Sequence, residues 1–155
     1  MTPEILTPEI LTIGYQACVQ PSVIAALRAA GVTHLLDIRA VPQSRKAGFS
    51  KRLLGATVEA AGIEYRHLRG LGTPKAGRDA VRHGDVAAMH RIFGAHLQTQ
   101  EAQADLALAA AIVPGARACL LCFERDHAAC HRSIVAGLLR ERSGLPVRHL
   151  LAEAV

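Results

Sequence analysis

The stretch PSVIAALRAAGVTHLLDI, from Pro21 to Ile38, decides the fold class. Val23, Ile24, Leu27 and Ala30 recur at three- and four-residue intervals, which predicts an amphipathic helix. Pro21 suits the first turn, where its missing N–H costs nothing, and Gly31 supplies the stop. His34–Ile38 is then almost continuously apolar, as a strand covered on both faces is. A helix feeding such a strand is the repeating unit of a parallel α/β sheet.

The same alternation extends in both directions. Upstream, Leu11–Tyr15 is rich in β-branched residues and closes at Gly14, giving a first strand. Downstream, the loop Arg39–Phe49 precedes a helix with Ser50 as N-cap, carrying Leu53, Leu54, Val58 and Ala61 up to Gly62. A third strand is expected over about Ile63–Leu68, followed by a loop, Arg69–Gly84. Asp85 caps a helix bearing Met89, Ile92, Phe93 and Leu97. An Ala-rich helix, Gln100–Ile112, ends at Pro114 and Gly115. A fourth strand at about Arg117–Phe123, a helix from His127 to Ser143 and a strand Val147–Leu150 complete the pattern.

The expectation is one α/β domain over residues 11–155. It has a mostly parallel sheet of about five strands with helices on both faces, a Rossmann-like three-layer arrangement. Residues 1–10 are read as an extension holding the first of two TPEIL copies, Thr2–Leu6 and Thr7–Leu11, with no longer period after them. A chain of 155 residues suits one domain. Half the residues are hydrophobic, 3% are aromatic and Trp is absent, so the core is aliphatic.

The net charge of +5 is unevenly spread. Residues 39–82 hold ten Lys or Arg against Glu59, Glu64 and Asp79, a local +7 that leaves −2 elsewhere. Such a field attracts phosphates, carboxylates or a nucleic-acid backbone, although a solvated basic face has the same composition. Four cysteines do not make a secreted disulfide framework at this length. No basic-led apolar signal segment opens the chain and no apolar run is long enough to span a membrane, so the cytoplasm is the expected location.

In open parallel sheets, ligands bind outside the carboxyl ends of the strands. Tyr15 and Gln16, Asp37 and Arg39, His67, and Cys122 and Glu124 therefore converge on one edge. Asp37 and Arg39 form either an internal brace or an anion site in which Arg39 and Arg45 are ligands. Ser50 and Lys51 stand at a helix start, where a bound anion or a simple cap is expected. Tyr65 and His67 share a strand face. Pro74 and its neighbouring glycines shape a turn that brings Lys75 and Arg78 toward the cleft.

The segment from Cys122 to Arg132 is the most specific. Asp126 caps a helix whose first turn holds Cys130, His131 and Arg132, and a helix start with nearby cations lowers a thiol pKa. Cys130 is then a nucleophile with His131 or His67 as base, or the reversible disulfide partner of Cys122, or a buried packing residue. The eight-residue separation of the two cysteines is not a paired zinc-ligand spacing, so neither zinc nor another cofactor is expected. Cys119 reads as core, and Cys18 has no evident partner.

Taken in order, Thr12–Gln16, Asp37–Arg39, Pro42–Arg45, Gly48–Lys51, Gly62–Tyr65, His67–Leu68, Leu71–Gly72, Leu121–Glu124 and Cys130–Arg132 resemble the bacterial "domain of unknown function 488" family. The resemblance implies that these motifs belong to one small α/β domain, and it transfers no reaction, cofactor or partner. Such sequences often carry His-Ser where this chain has Tyr15 and Gln16, so a role that needs a histidine there does not carry over.

The leading expectation is an enzyme acting on a phosphorylated, nucleotide or otherwise anionic substrate. Arg39, Arg45, Ser50, Lys51, Lys75, Arg132 and Tyr15 would bind it, and Cys130, His131, Glu124, His67 and Asp37 would supply chemistry. One alternative is a nucleic-acid or nucleotide binding module, although aromatic stacking platforms are scarce. The other is a thiol redox protein using Cys122 and Cys130.

Overall fold

The structure is a computed structural model that describes residues 7–155; the first TPEIL copy, Thr2–Leu6, lies outside the described residues. Strands β1 (Ile10–Gly14), β2 (His34–Asp37), β3 (Glu64–His67), β4 (Ala118–Cys122) and β5 (Val147–Leu150) form one sheet in the order β3-β2-β4-β1-β5. Every neighbouring pair is parallel. The expected three-layer α/β domain is the fold observed.

Strand periodicity divides the core in two. Leu11, Ile13, Leu35, Cys119 and Leu121 point to one face, which helices α1 (Gln20–Ala29) and α2 (Lys51–Ala60) cover with Val23, Leu27, Leu54 and Val58. Ile10, Leu36, Ala118 and Leu120 point to the other, beneath α4 (Val86–His96), α5 (Gln100–Ile112) and α6 (Arg132–Ser143). Each fully buried Leu or Ile there contributes roughly 1.5–3 kcal/mol of transfer free energy. Glu9, just before β1, pairs with Arg117 at 3.0 Å and Arg148 at 2.9 Å, tying the lead-ins of three strands together. The hydrogen bond from Arg148, with help from Arg117, holds its carboxyl below the usual range despite desolvation.

Two elements differ from the sequence reading. Residues 75–82, expected as loop, form helix α3 (Lys75–Arg82) against α4. Gly77 and a scarcity of apolar residues hide it. It starts after Pro74, ends before Gly84 (φ 76°), and carries Lys75–Asp79 and Arg82–Asp79 ion pairs of 3.1 and 3.3 Å. The last helix begins at Arg132 and not at His127. Asp126 caps a short 3₁₀ turn, His127–Ala129, instead, and Cys130 is extended (φ −127°, ψ 146°) between the two.

The topology explains where a cleft opens. The chain leaves β1 and β2 toward the α1/α2 face, and it leaves β3 and β4 toward the opposite face. Because β4 lies between β1 and β2, connections part to opposite sides at its carboxyl end, which is the crevice position of open α/β sheets.

Candidate functional site

One wall is a closed ion pair. Asp37 ends β2 fully buried. Its carboxylate accepts from Arg39 Nε (2.8 Å), Nη2 (2.7 Å) and backbone N (3.2 Å), and from the Tyr65 hydroxyl (2.5 Å). Arg39 Nη1 donates to Tyr15 Oη at 3.1 Å and to the Phe49 carbonyl at 2.7 Å. His67 Nε2 donates to the Arg39 carbonyl at 2.7 Å. Burial followed by the Asp37 charge pushes the Tyr65 phenol well above its ordinary pKa. Burial pulls the Arg39 pKa down, but the hydrogen bonds and charge of Asp37 outweigh it and the guanidinium is held more firmly protonated. A buried pair survives only when its remaining hydrogen-bonding groups are satisfied, and this one is. The brace fixes Tyr15, which stacks on Phe49 with ring centres 4.4 Å apart.

The opposite wall rests on a second buried cation. Arg132, fully buried, sends Nε to Thr12 Oγ1 (3.0 Å) and Nη2 to the Arg125 carbonyl (3.1 Å). Nη1 donates to the Glu124 carbonyl and to Cys122 Sγ (3.2 Å). Among the described residues no carboxylate makes a salt bridge to it. The sequence makes room with Gly14, where a Cβ would overlap the Glu124 carbonyl and crowd Arg132 Nη1. Burial lowers the Arg132 pKa, and the nearby Glu124 charge opposes that.

The floor carries the thiols. Cys122 ends β4 and is joined to Cys130 by a disulfide, with their Cα atoms 7.5 Å apart. His131 Nε2 lies 2.8 Å from the Ile38 carbonyl. A carbonyl only accepts, so the proton sits on Nε2 and the Nδ1 lone pair faces Cys130 Sγ at 3.7 Å. Burial pushes the His131 pKa down to about 4, so its ring is neutral at pH 7. A Glu124 carboxylate oxygen lies 3.6 Å from Cys122 Sγ, and burial raises that carboxyl's pKa.

Between the walls lies a cleft of about 730 Å³. Its lining includes Cys122, Glu124, Cys130 and His131 together with Tyr15, Gln16 and Arg39, and three further arginines, Arg45, Arg78 and Arg82. Residues 21–139, from α1 into α6, match the family model for the domain of unknown function DUF488. The chain belongs to the DUF488 family. Neither the curated proteins nor the solved structures contain a match to it.

In this DUF488 chain the structure brings Tyr15, Arg39, Arg45, Glu124, Cys122, Cys130 and His131 to a common cleft. It places the other named residues elsewhere. Asp37 and His67 stand behind the wall, with every Asp37 oxygen engaged and His67 Nε2 spent on a carbonyl. Arg132 lies beneath the Glu124–Arg125 turn, where it positions the floor. Ser50 makes no side-chain cap; its hydroxyl accepts from the Ser44 N–H and donates to the Ser44 carbonyl. Lys51 is exposed outside the cleft lining, and Lys75 pairs with Asp79 on the outer surface. Of the pair expected from the turn after Pro74, Arg78 lines the cleft, with Nη1 on the Thr73 carbonyl at 2.8 Å, and Lys75 does not. Arg82, one helical turn after Arg78, lines it as well. Its i, i+4 spacing from Arg78, between Pro74 and Gly84, is the sequence signal that would have found it.

Cys130 is not in a helix first turn, and the Arg132 guanidinium donates to Cys122. The remaining cysteines are free: Cys119 is sealed in the core, where burial raises its pKa strongly, and Cys18 is buried beside Arg125.

Proposed function

We propose that this DUF488 protein performs thiol–disulfide exchange on an anionic substrate. The observation that carries this reading is a cysteine pair lining a cleft that also holds several arginines, with a buried guanidinium that has no carboxylate partner among the described residues donating to Cys122 Sγ. A buried cation is costly unless paired, and in the reduced protein a Cys122 thiolate is the counter-charge within reach. Cys130 differs, because its thiol faces a neutral imidazole.

The roles follow from that asymmetry. The Cys122 thiolate attacks one sulfur of a substrate disulfide; that S–S bond breaks and the first thiolate departs. Cys130 gives its proton to the departing thiolate and attacks Cys122 Sγ. The Cys122–Cys130 bond forms, and the second substrate thiolate leaves and takes a proton from water. Two protein thiols lose two electrons and one substrate disulfide gains them. A second dithiol from solution restores the reduced pair by the reverse exchange. Arg45, Arg78 and Arg82 select substrates bearing carboxylate or phosphate.

The test compares oxidation of the reduced protein by dithiodiglycolate, a dianionic disulfide, and by the neutral 2-hydroxyethyl disulfide. We expect Cys122–Cys130 crosslinking, detected by mass after alkylation, at least tenfold faster with the dianion. That preference should collapse in Arg78→Ala/Arg82→Ala. Equal rates remove the anionic substrate, and the absence of crosslinking removes the reading.

A further inference from the structure

We infer that the reduced protein binds a thiophilic divalent cation, zinc by its ligand set, through Cys122 Sγ, Cys130 Sγ, His131 Nδ1 and the Glu124 carboxylate. The inference uses the same dithiol as the proposed exchange but does not require exchange activity. Spacing along the chain argued against zinc, whereas proximity in space argues for it. The ligand atoms of Cys122, Cys130 and His131 all lie within 4.8 Å of one another, and all three residues are buried.

Three further features point the same way. The Ile38 carbonyl fixes His131 in the tautomer that leaves Nδ1 free to coordinate, which is how outer-shell partners orient metal-binding imidazoles. The two cysteine Cα atoms stand 7.5 Å apart, beyond the roughly 4.4–6.8 Å usual for a disulfide. That separation suits two thiolates about 3.8 Å apart around one tetrahedral ion with Zn–S bonds of about 2.3 Å. Glu124, 3.6 Å from Cys122 Sγ, supplies an oxygen as fourth ligand. Two thiolates and one carboxylate then balance the dication together with Arg132, whose N–H donates to a coordinating sulfur.

Metal and disulfide exclude one another at this site. Oxidation to the Cys122–Cys130 bond removes both thiolates and releases the ion, so metal occupancy reads out the state of the pair. The cleft gives the ion its entry path, since all four ligand residues line it.

The experiment is a cobalt titration of the full chain, reduced under argon until four free thiols are counted. We expect one equivalent to produce a thiolate-to-cobalt charge-transfer band with tetrahedral visible bands, abolished by zinc. Cys122→Ser and Cys130→Ser should lose the charge-transfer band, and Cys18→Ser and Cys119→Ala should keep it. His131→Gln and Glu124→Gln should keep a thiolate band but weaken zinc binding about 10–100-fold in chelator competition. An unchanged affinity in Glu124→Gln removes that residue from the ligand set. Should a serine variant not fold, wild type alone decides: zinc must protect Cys122 and Cys130, but not Cys18, from alkylation. No band in the fully reduced protein, or a band surviving in either serine variant, overturns the inference. A cobalt band without crosslinking in the disulfide assay leaves the metal site standing and removes the exchange reading.

Discussion

Arg39 and Arg132 are two buried guanidiniums beside one cleft, the first in its lining and the second beneath its floor, and they are satisfied in contrasting ways. Arg39 holds a carboxylate with two of its nitrogens, and what remains goes to a phenol and a carbonyl. Arg132 has carbonyls, a hydroxyl and one sulfur, but no anion among the described residues. The first arrangement is complete in itself and fixes shape. The second lacks a negative charge that a reduced Cys122 can provide, and the proposed exchange rests on that difference.

The sharpest way to break this contrast is to remove one partner of the closed pair. Asp37→Ala should destabilise the fold by about 3–5 kcal/mol in urea denaturation, because Arg39 is left buried and unpaired. If the loss is under about 1 kcal/mol, the two walls do not differ as argued. Arg132→Met should cost less, about 1–3 kcal/mol, from the carbonyls it leaves unsatisfied. Its larger effect should be on reactivity: Cys122 alkylation at neutral pH in the reduced protein should slow at least tenfold, while Arg39→Met leaves that rate within about twofold. Gly14→Ala acts on the second arginine through the backbone. Displacing the Glu124 carbonyl from Arg132 should cost about 1–3 kcal/mol and disturb Cys122 with no polar side chain removed.

A subtler asymmetry lies in the imidazoles next to the second wall. His149 stacks on His127 with ring centres 3.6 Å apart and meets Thr12 Oγ1, the acceptor for Arg132, at 2.6 Å. Burial, then the neighbouring His127, pushes the His149 pKa down to about 4. The unfolded chain therefore binds this proton more readily than the folded one. The associated stability is present in full above about pH 6.5 and is lost as pH falls toward 4. His149→Gln should flatten the fall in melting temperature over that window, and an unchanged slope would assign the acid loss elsewhere. The smallest effect is expected at the surface: Lys75→Ala should change stability by under about 0.5 kcal/mol, as an exposed ion pair does.

How much of this was legible depends on how local the physics is. The parallel sheet is written in short apolar runs such as His34–Ile38, and burial on both faces leaves no other reading. The Asp37–Arg39 brace is also local, with only Ile38 between the charges. That Arg132 lies beneath the floor is not legible, because its anchor, Thr12, lies 120 residues away. Cys130 was placed in a helix because a capping aspartate looks the same before a 3₁₀ turn as before an α-helix. Helix α3 is hard to see in the sequence because Gly77 and the many charged residues weaken its pattern, and packing against α4, the next helix along the chain, completes it.

The position of β4 has a consequence for biosynthesis. A ribosome delivers β1, β2 and β3 before the strand that must slot between the first two, so those two have no common neighbour for some eighty residues. Nucleation must wait for contacts distant along the chain, which slows acquisition of structure. Cys122 arrives on that strand and Cys130 just after it, so the cysteine pair exists only once β1 and β2 have been given their common neighbour.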